Sequence, residues 1–344
     1  MAQDRKDGFL RVLDLGPLPD MLSRQLGPRS VERVFRAQDL PPSLLDNPLQ
    51  PIPLRDFCGL HEWAVRVAGD PNFGVELATT FDVRHLGPLG TFLFSAPTLG
   101  SMIRREMRVL ALHQNVGTIK LDIDGDVARY AYSSSLGSLL GKRYAGMRSL
   151  YALLSLARAY LGEKWLPSTI EVEYSKGSEG MPFESQFGVP VIYDSNAFAL
   201  TFPRSYLETP NPNPRPLQQQ MTVRELANSL QVRPPRTIVE AARAVLIIRL
   251  LDGDGDIEGT ASKLGLGPRT LQRRLREEGT SYRNMLSSVR LERAMSLLKE
   301  STEPIETIAR SLGYAATSHF TRAFTQWTGT PPSRVRRQRR QPVS

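Results

Sequence analysis

Residues 257–275 read IEGTASKLGLGPRTLQRRL, and this stretch decides the fold of the C-terminal part of the chain. Ile257, Ala261 and Leu264 recur at the spacing of one helical face. Gly265 follows at once, at the position where a helix that ends in the left-handed conformation takes glycine. The proline three residues later suits the first turn of a new helix, where its missing N–H costs nothing. The stretch therefore predicts two short helices joined by a tight turn, a helix-turn-helix.

The same sequence pattern recurs about 48 residues later, where residues 305–324 read IETIARSLGYAATSHFTRAF. Two phenylalanines replace the two leucines of the second helix, and the turn is one residue longer. Residues 289–298, VRLERAMSLL, form an apolar connecting helix between the repeats. Ten residues are predicted to hold the two units together by packing or by turning the chain: Ala261, Leu264, Gly265, Leu271, Leu275, Ala309, Leu312, Gly313, Phe320 and Phe324.

The outward faces of the two second helices, about 268–278 and 316–327, carry side chains suited to DNA. Arginine binds guanine edges through two hydrogen bonds, glutamine binds adenine, and serine and threonine accept either base. The predicted base-reading residues are Arg269, Thr270, Gln272, Arg273, Thr317, Ser318, His319 and Arg322. The predicted phosphate contacts, which add affinity without sequence choice, are Arg274, Arg276, Arg283, Thr321, Gln326, Arg334, Arg336 and Arg337.

Charge is concentrated in this part of the chain. Residues 259–344 hold 16 Lys/Arg against 6 Asp/Glu, a net charge of +10 within a chain of 344 residues and net charge +9. A basic domain beside a near-neutral one is typical of nucleic-acid binding, although a basic soluble surface or a membrane-surface patch would look alike by composition. The helix-turn-helix motifs favour DNA, and the chain has no apolar run long enough to span a membrane.

Helical and strand periods are mixed in the N-terminal part, which predicts an α+β domain. Helices are expected over 54–67, from 98 to 110 and over 148–161, and a hairpin over 118–133 with its turn at 124–126. The chain is therefore predicted to have two domains, α+β then all-α. The expected boundaries are a poorly ordered N-terminus at 1–25, the α+β domain at 26–208, a Pro-rich linker at 209–236, the helix-turn-helix domain at 237–338 and a basic tail at 339–344.

The sequence offers no motif for catalysis or for a metal. The acidic run at 252–256 fails as a calcium loop because the glycine and the glutamate that such a loop needs are absent, and a solvated turn is expected. Cys58, the single cysteine, is the one residue that would suit an alkyl-transferring enzyme fused to a DNA-binding tail. It lies on an apolar helix face with no basic neighbour, so buried packing is the better interpretation. Arg104, Arg105 and Arg108 are the predicted ligand contacts, with an exposed charged helix face as the alternative.

At residues 304–333 the chain resembles the AraC/XylS family of bacterial transcription regulators, and the resemblance extends over about 240–338. It rests on Pro304-Ile305, Ala309, Leu312-Gly313-Tyr314, residues 318–324 (SHFTRAF), Trp327-Thr328-Gly329 and Pro331-Pro332-Ser333. The resemblance implies base reading from Arg269 and Arg273 in the first unit, and from Thr317, Ser318 and Arg322 in the second. Thr260 departs from the family, which usually has an aliphatic residue there.

Residues 87–100 and 187–202 are similar to a sensor domain, named arabinose-binding, of regulators related to the ornithine-utilisation regulator. These resemblances imply a bacterial, cytoplasmic regulator located at the nucleoid, with double-stranded operator DNA as its partner. They further imply a homodimer, contact with RNA polymerase and control by an unidentified small molecule, and they do not imply an enzyme. A nonspecific architectural DNA protein remains the alternative within the DNA-binding class.

Overall fold

The computed structural model describes residues 8–134, 139–176, 187–216 and 219–339. The chain divides into two compact units, one formed by Met1–Asp39 and Leu45–Pro234, the other by Leu40–Leu44 and Pro235–Ser344. The first unit combines helices with a sheet and the second is helical, as the sequence predicts. None of the described helices is long and apolar enough to cross a membrane.

The first unit places helices before, within and after a five-stranded sheet. Its helices are α1 (Leu18–Leu26), α2 (Arg29–Ala37), α3 (Leu54–Ala68), α4 (Pro71–Thr79), α5 (Pro88–Leu93), α6 (Leu99–His113), α7 (Lys142–Leu161) and α8 (Val223–Ser229). Its strands are β1 (Phe9–Arg11), β2 (Pro51–Pro53), β3 (Gly117–Asp124), β4 (Val127–Ser134), β5 (Thr169–Glu171), β6 (Val191–Ile192) and β7 (Phe198–Pro203).

The main sheet has the strand order β3-β4-β7-β5-β6, and β1 pairs with β2 in a separate ribbon. The predicted hairpin is confirmed: β3 and β4 pair antiparallel from Gly117 opposite Ser134 to Asp124 opposite Val127. Gly125 closes it with a φ of 54°, a backbone conformation that glycine adopts without strain. The parallel pairing of β5 with β6 is the exception to an otherwise antiparallel sheet. Helices α6 and α7 pack on this sheet and enclose the core of the unit.

The N-terminal stretch differs from the expectation of poor order over 1–25. Phe9 and Leu18 are fully buried, and β1 is held to β2 by its backbone hydrogen bonds. Residues 8–25 are therefore part of the core of the first unit, because their apolar residues find partners far along the chain that a local reading cannot show. Residues 1–7 lie outside the described part.

Most of the segment predicted as a linker also belongs to the first unit. The Asn211 side chain donates to the carbonyl oxygens of Phe94 and Ala96 at 2.7 and 2.9 Å, and Pro210 bridges to Thr98. The segment also contains the short helix α8, which is capped at its start by the Thr222 hydroxyl. The prolines at 210–216 disfavour regular structure before α8, and side-chain hydrogen bonds hold that part of the segment to the unit.

The second unit contains seven helices in its described part. They are α9 (Ile238–Arg249), α10 (Ile257–Lys263), α11 (Pro268–Glu277), α12 (Tyr282–Glu300), α13 (Ile305–Ser311), α14 (Thr317–Thr328) and α15 (Pro332–Arg339). Pairs α10–α11 and α13–α14 are the two predicted helix-turn-helix units, and α12 is the predicted connecting helix, longer at both ends than expected. Residues 340–344, most of the predicted basic tail, lie outside the described part.

Candidate DNA interface and ligand cavity

Both helix-turn-helix units turn the chain in the same way. Gly265 and Gly313 have φ values of 66° and 77°, as their position after a helix end requires. The next residue donates back to the carbonyl oxygen of the buried alanine, from Leu266 to Ala261 at 2.9 Å and from Tyr314 to Ala309 at 3.0 Å. These bonds satisfy carbonyl groups that a helix end otherwise leaves open. The two repeats therefore fold alike at the backbone as well as in sequence.

The predicted structural residues face inward in both units. Leu271 and Leu275 are fully buried in α11, and Phe320 and Phe324 are fully buried in α14, with ring centroids 5.6 Å apart. The core of the second unit also takes residues from α12 and α13, namely Ala294, Leu298, Ile308, Ala309 and Leu312. Burial of these side chains leaves the opposite faces of α11 and α14 in solvent, which is the condition for reading a groove.

The acidic turn before α10 exposes Asp252, Asp254 and Asp256 to solvent, as expected, and two of these aspartates also bond to the rest of the unit. Asp254 and Asp256 both accept hydrogen bonds from the buried guanidinium of Arg249, and Asp256 caps α10 through the amide of Gly259. Gly253 lies beside the second turn: a Cβ on Gly313 would stand 2.2 Å from the Gly253 carbonyl oxygen. Two glycines in close backbone contact thus join the loop before the first helix-turn-helix to the turn of the second.

Thr260, the departure from the family pattern, is fully buried and fully bonded. Its hydroxyl lies 2.8 Å from the Tyr282 hydroxyl and 3.2 Å from the carbonyl oxygen of Asp256. A buried hydroxyl costs free energy only when it lacks a partner. Packing at this position is therefore maintained by a hydrogen bond between α10 and α12.

Three of the eight predicted base-reading residues form one exposed stripe on α11, and three more are exposed on α14. Arg269, Gln272 and Arg273 are exposed, with Arg276 one turn further along. The pair between Arg273 and Glu277 is 3.1 Å long but exposed on both sides, so it holds Arg273 only weakly. On α14, Ser318, His319 and Arg322 are exposed, and Thr317 is half-buried at its start. Thr270 flanks the α11 stripe and is half-buried.

Neither recognition helix has a side-chain cap at its N-terminus. Gly267 precedes α11 and Ala316 precedes α14, whereas α10 and α12 are capped by Asp256 and Ser281. Uncapped amide groups at a helix start favour an anion, and phosphates of DNA satisfy such groups in many complexes. Among the predicted phosphate contacts, Arg283 and Arg334 are exposed, while Arg336 is half-buried and donates to the carbonyl oxygen of Glu303 at 2.8 Å.

The three arginines predicted to bind a ligand lie on α6. Arg104 and Arg108 are exposed, whereas Arg105 is half-buried and donates to the Phe92 carbonyl oxygen, the Ser95 hydroxyl and the Gln220 amide oxygen. The guanidinium of Arg105 also lies over the Phe92 ring at 5.3 Å. Other residues line the two cavities of the first unit, and ligand binding by these arginines stays a prediction.

The larger cavity, of about 780 Å³, is a groove beside α4, α5 and α7. Three of its charged side chains have partners within the unit: Arg84 is bonded to Asp82, and Arg158 donates to the carbonyl oxygen of Trp165. A ligand in this groove would have to compete with these contacts.

The smaller cavity, of about 60 Å³, lies in the core between α3, α6, α7 and the sheet. Its lining is apolar except for a few buried polar side chains. Asp14 accepts hydrogen bonds from Arg148 at 3.0 Å and from His113 at 3.1 Å. Burial raises the pKa of Asp14, but the charge and hydrogen bond of His113 and then the charge of Arg148 outweigh this and hold it at about 2. The Arg148 guanidinium is further held between the rings of Phe57 and Phe81.

Glu106 is the other buried carboxyl group of this cavity. It accepts a hydrogen bond from the Tyr130 hydroxyl, and burial raises its pKa to about 7 against the smaller opposing effect of that bond. The described residues place no basic side chain beside it. Sequence reasoning missed this cluster and the Asp14 cluster, and an arginine within the apolar run of α7 was the one local signal for them.

Cys58 is buried, and burial raises the pKa of its thiol to about 12. A reactive cysteine needs the opposite shift. The described residues also contain no group of three His, Cys, Asp or Glu that could hold a metal ion. Neither finding supports the enzyme alternative.

An exposed, arginine-bearing face on each of two tandem recognition helices, together with a separate unit that has an internal cavity, defines a DNA-binding transcription regulator with an N-terminal ligand-binding domain. The chain belongs to the AraC family: residues 29–211 match the arabinose-binding domain of AraC transcription regulators, and residues 260–338 match a helix-turn-helix domain. It is a regulator and not an enzyme.

Two relatives are similar to the chain over most of its length, and a solved structure covers it nearly in full. The ornithine utilization regulator of Pseudomonas aeruginosa is 29% identical over 314 residues, 89% of this chain and 91% of its own. The regulator VqsM of the same organism is 24% identical and covers 80% of this chain and 87% of its own. The crystal structure of CdpR from Pseudomonas aeruginosa is 24% identical, covers 94% of this chain and 98% of its own, and has a TM-score of 0.44.

Proposed function

We propose that this protein is an effector-controlled regulator whose helices α11 and α14 read two successive major grooves of one operator. The observation that carries the proposal is the repeated geometry of two recognition helices, each with a buried apolar face, an uncapped start and an exposed arginine-bearing face. An α-helix fits the major groove of B-DNA, and two such helices reading sites one helical turn apart lie on the same side of the duplex.

Within this proposal, specificity comes from the exposed stripes and affinity from the surrounding cations. Arg322 has no ion pair among the described residues, so its guanidinium can bind a guanine edge without losing another partner. The uncapped amides of α11 and α14, with Arg274, Arg276, Arg283, Thr321, Gln326, Arg334 and Arg336, contact phosphates. A DNA-binding architectural protein would use only this second set.

The route from a ligand to the DNA-binding unit runs through Arg11. This arginine is fully buried, and its guanidinium donates to the carbonyl oxygens of Leu112 and His113 at the end of α6. The same guanidinium donates to the carbonyl oxygens of Leu230 and Val232, in the segment that leads into the second unit. His113 lines the smaller cavity. A ligand that moves the end of α6 would therefore change how this segment is held, and so shift the population of DNA-competent chains.

The proposal extends to the setting in which the protein works. The protein acts in the bacterial cytoplasm at the nucleoid, as a homodimer on double-stranded operator DNA, and contacts RNA polymerase. The family of the chain and its basic DNA-binding unit support this part.

Selection of preferred sites from random DNA by the full-length protein tests the proposal. The expected result is a motif of two blocks about one helical turn apart. Arg322→Ala is expected to relax one block and to cost about 1–3 kcal/mol of discrimination, the worth of one bidentate base contact. Lys299→Ala, which removes an exposed cation from α12, is the matched control and should leave both blocks intact. Binding without an enriched motif would support the architectural alternative instead.

A further inference from the structure

The ionisable side chains that line the smaller cavity include one carboxyl group that has no charged partner in the described part of the chain. Its ionisable lining residues are Asp14, Glu106, His113, Tyr132 and Arg148. Arg148 and Asp14 form an ion pair that His113 joins, and the Tyr132 hydroxyl accepts a hydrogen bond from Gln114 at 3.2 Å. Glu106 remains as a carboxyl group whose one bonded partner among the described residues, Tyr130, is neutral.

The two polar ends of the cavity are well separated. Glu106 and His113 lie seven residues apart on α6 and hence on one face, which places them about 10 Å apart along the helix axis. Leu110 lies between them, and Leu89 and Leu93 of α5 line the same space. The cavity of about 60 Å³ has room for roughly four to six water-sized groups, enough for a short aliphatic chain.

On the basis of the proposed function, we infer that the effector is a small aliphatic amine whose ammonium group pairs with Glu106. A buried carboxylate without a cation is costly, and a ligand ammonium would stabilise the ionised form by charge and by hydrogen bonding. An anionic ligand would face repulsion at Glu106. At the opposite end, Arg148 already pairs with Asp14 through Nη2, and its Nε and the Nδ1 of His113 are the buried atoms there without a hydrogen-bond partner among the described residues. The apolar chain of the amine would lie along the leucines.

The inference concerns ligand chemistry and can be tested with simple probes of matched length. The probes are n-butylamine, n-butanol and butyrate, and their binding to the full-length protein is measured by calorimetry and by the shift of the thermal unfolding midpoint. Butylamine is expected to bind and to stabilise the protein, while butanol and butyrate do neither. Glu106→Gln is expected to weaken butylamine binding at least tenfold.

Glu173→Gln is the matched control. Glu173 is half-buried after β5, does not itself line the cavity, and has a raised pKa caused mainly by burial; it accepts a hydrogen bond from the hydroxyl of Ser134, which is a lining residue. Its substitution should leave butylamine binding unchanged. If Glu106→Gln does not fold, the wild-type protein supplies a second test. Butylamine, which stays protonated, should bind about tenfold more tightly at pH 8 than at pH 6, because a carboxyl group with a pKa of about 7 is largely ionised only at the higher pH.

The outcomes separate this inference from the proposed function. Failure of butylamine to bind, equal binding to Glu106→Gln, or preferential binding of butyrate would overturn the amine assignment. Operator affinity that responds to butyrate alone would leave effector control standing with a different ligand class. Operator affinity that ignores a bound amine would leave the ligand class standing and remove effector control.

Discussion

The contact between Gly253 and Gly313 gives a prediction whose magnitude can be worked from the structure. Gly313 has a φ of 77°, and a Cβ at this position would stand 2.2 Å from the Gly253 carbonyl oxygen. An alanine therefore costs about 1–2 kcal/mol for the left-handed backbone. Overpacking adds about 1–3 kcal/mol, because a backbone oxygen cannot swing away as a side chain can. Gly313→Ala should lower the free energy of unfolding of the second unit by roughly 2–5 kcal/mol.

Gly279→Ala is the matched control, because Gly279 has the same φ of 77° and no atom within 4 Å of the added Cβ. This variant should therefore lose only the unfolding free energy due to the left-handed backbone, about 1–2 kcal/mol. Hydrogen–deuterium exchange on peptides of α12 in the full-length protein measures the opening free energy of the second unit for each variant. Equal losses in the two variants would refute the argument that close backbone contact holds the second turn.

Three further changes have defined expectations. Thr260→Val should cost about 1 kcal/mol of unfolding free energy. Tyr282→Phe removes the bond to Thr260 and also the 2.8 Å bond from the Tyr282 hydroxyl to the Asp256 carbonyl oxygen, so the double variant should lose more than Thr260→Val alone but less than the sum of the two single losses; strictly additive losses by urea denaturation would contradict the shared bond. Arg11→Lys should speed amide hydrogen exchange over 226–232, because a lysine cannot donate to the five carbonyl oxygens that Arg11 bonds. The control Arg24→Lys should leave this exchange unchanged. Unchanged exchange in Arg11→Lys would disprove the role of Arg11. Asp14 has a pKa of about 2 against 3.8 ordinarily, so its contribution of about 2 kcal/mol is present above pH 4 and lost as the pH falls towards 2. Asp14→Asn should remove that acid dependence from urea midpoints, and an unaltered pH profile would count against the assigned partners.

The DNA-binding unit was largely readable from the sequence because its information is local. A glycine after Leu264 or Leu312 ends a helix whatever lies elsewhere, and helical spacing separates buried Phe320 and Phe324 from exposed Arg322. Turn residues, apolar period and charge all point to the same structure there. The resemblance to a family added the pairing of the two units and the residues expected to read bases.

The first unit was less readable because its key contacts join distant parts of the chain. Arg11, Asp14, His113 and Arg148 meet across more than 130 residues, and no spacing rule links them. An arginine in an apolar helix signals a buried charge but not its partner. The prediction of a poorly ordered N-terminus is wrong for 8–25 because the contacts of this stretch are also distant in sequence. Its charged residues of both signs obscure the apolar residues that pack in the core.

The acidic run at 252–256 shows a third kind of limit. Its sequence excluded a calcium loop, and a solvated turn was the reasonable expectation. The three aspartates are exposed as expected, but the structure also pairs Asp254 and Asp256 with buried Arg249 and places Gly253 against the second turn. A run of small and acidic residues can be a purely solvated turn, or it can also pair with a buried cation and pack against the rest of the unit. Only the tertiary structure distinguishes the two.

The proposed function depends most directly on two recognition helices that read one face of the same operator. Once a preferred site is selected, its affinity for the full-length protein can be compared with that of sites carrying an insertion of about 5 or about 10 base pairs between the two blocks. The half-turn insertion moves the second block to the opposite face of the duplex. The half-turn insertion is expected to lower the affinity to the nonspecific level, because the second helix-turn-helix of the same protein chain then loses its base contacts. Affinity unchanged by the half-turn insertion would contradict simultaneous reading by α11 and α14.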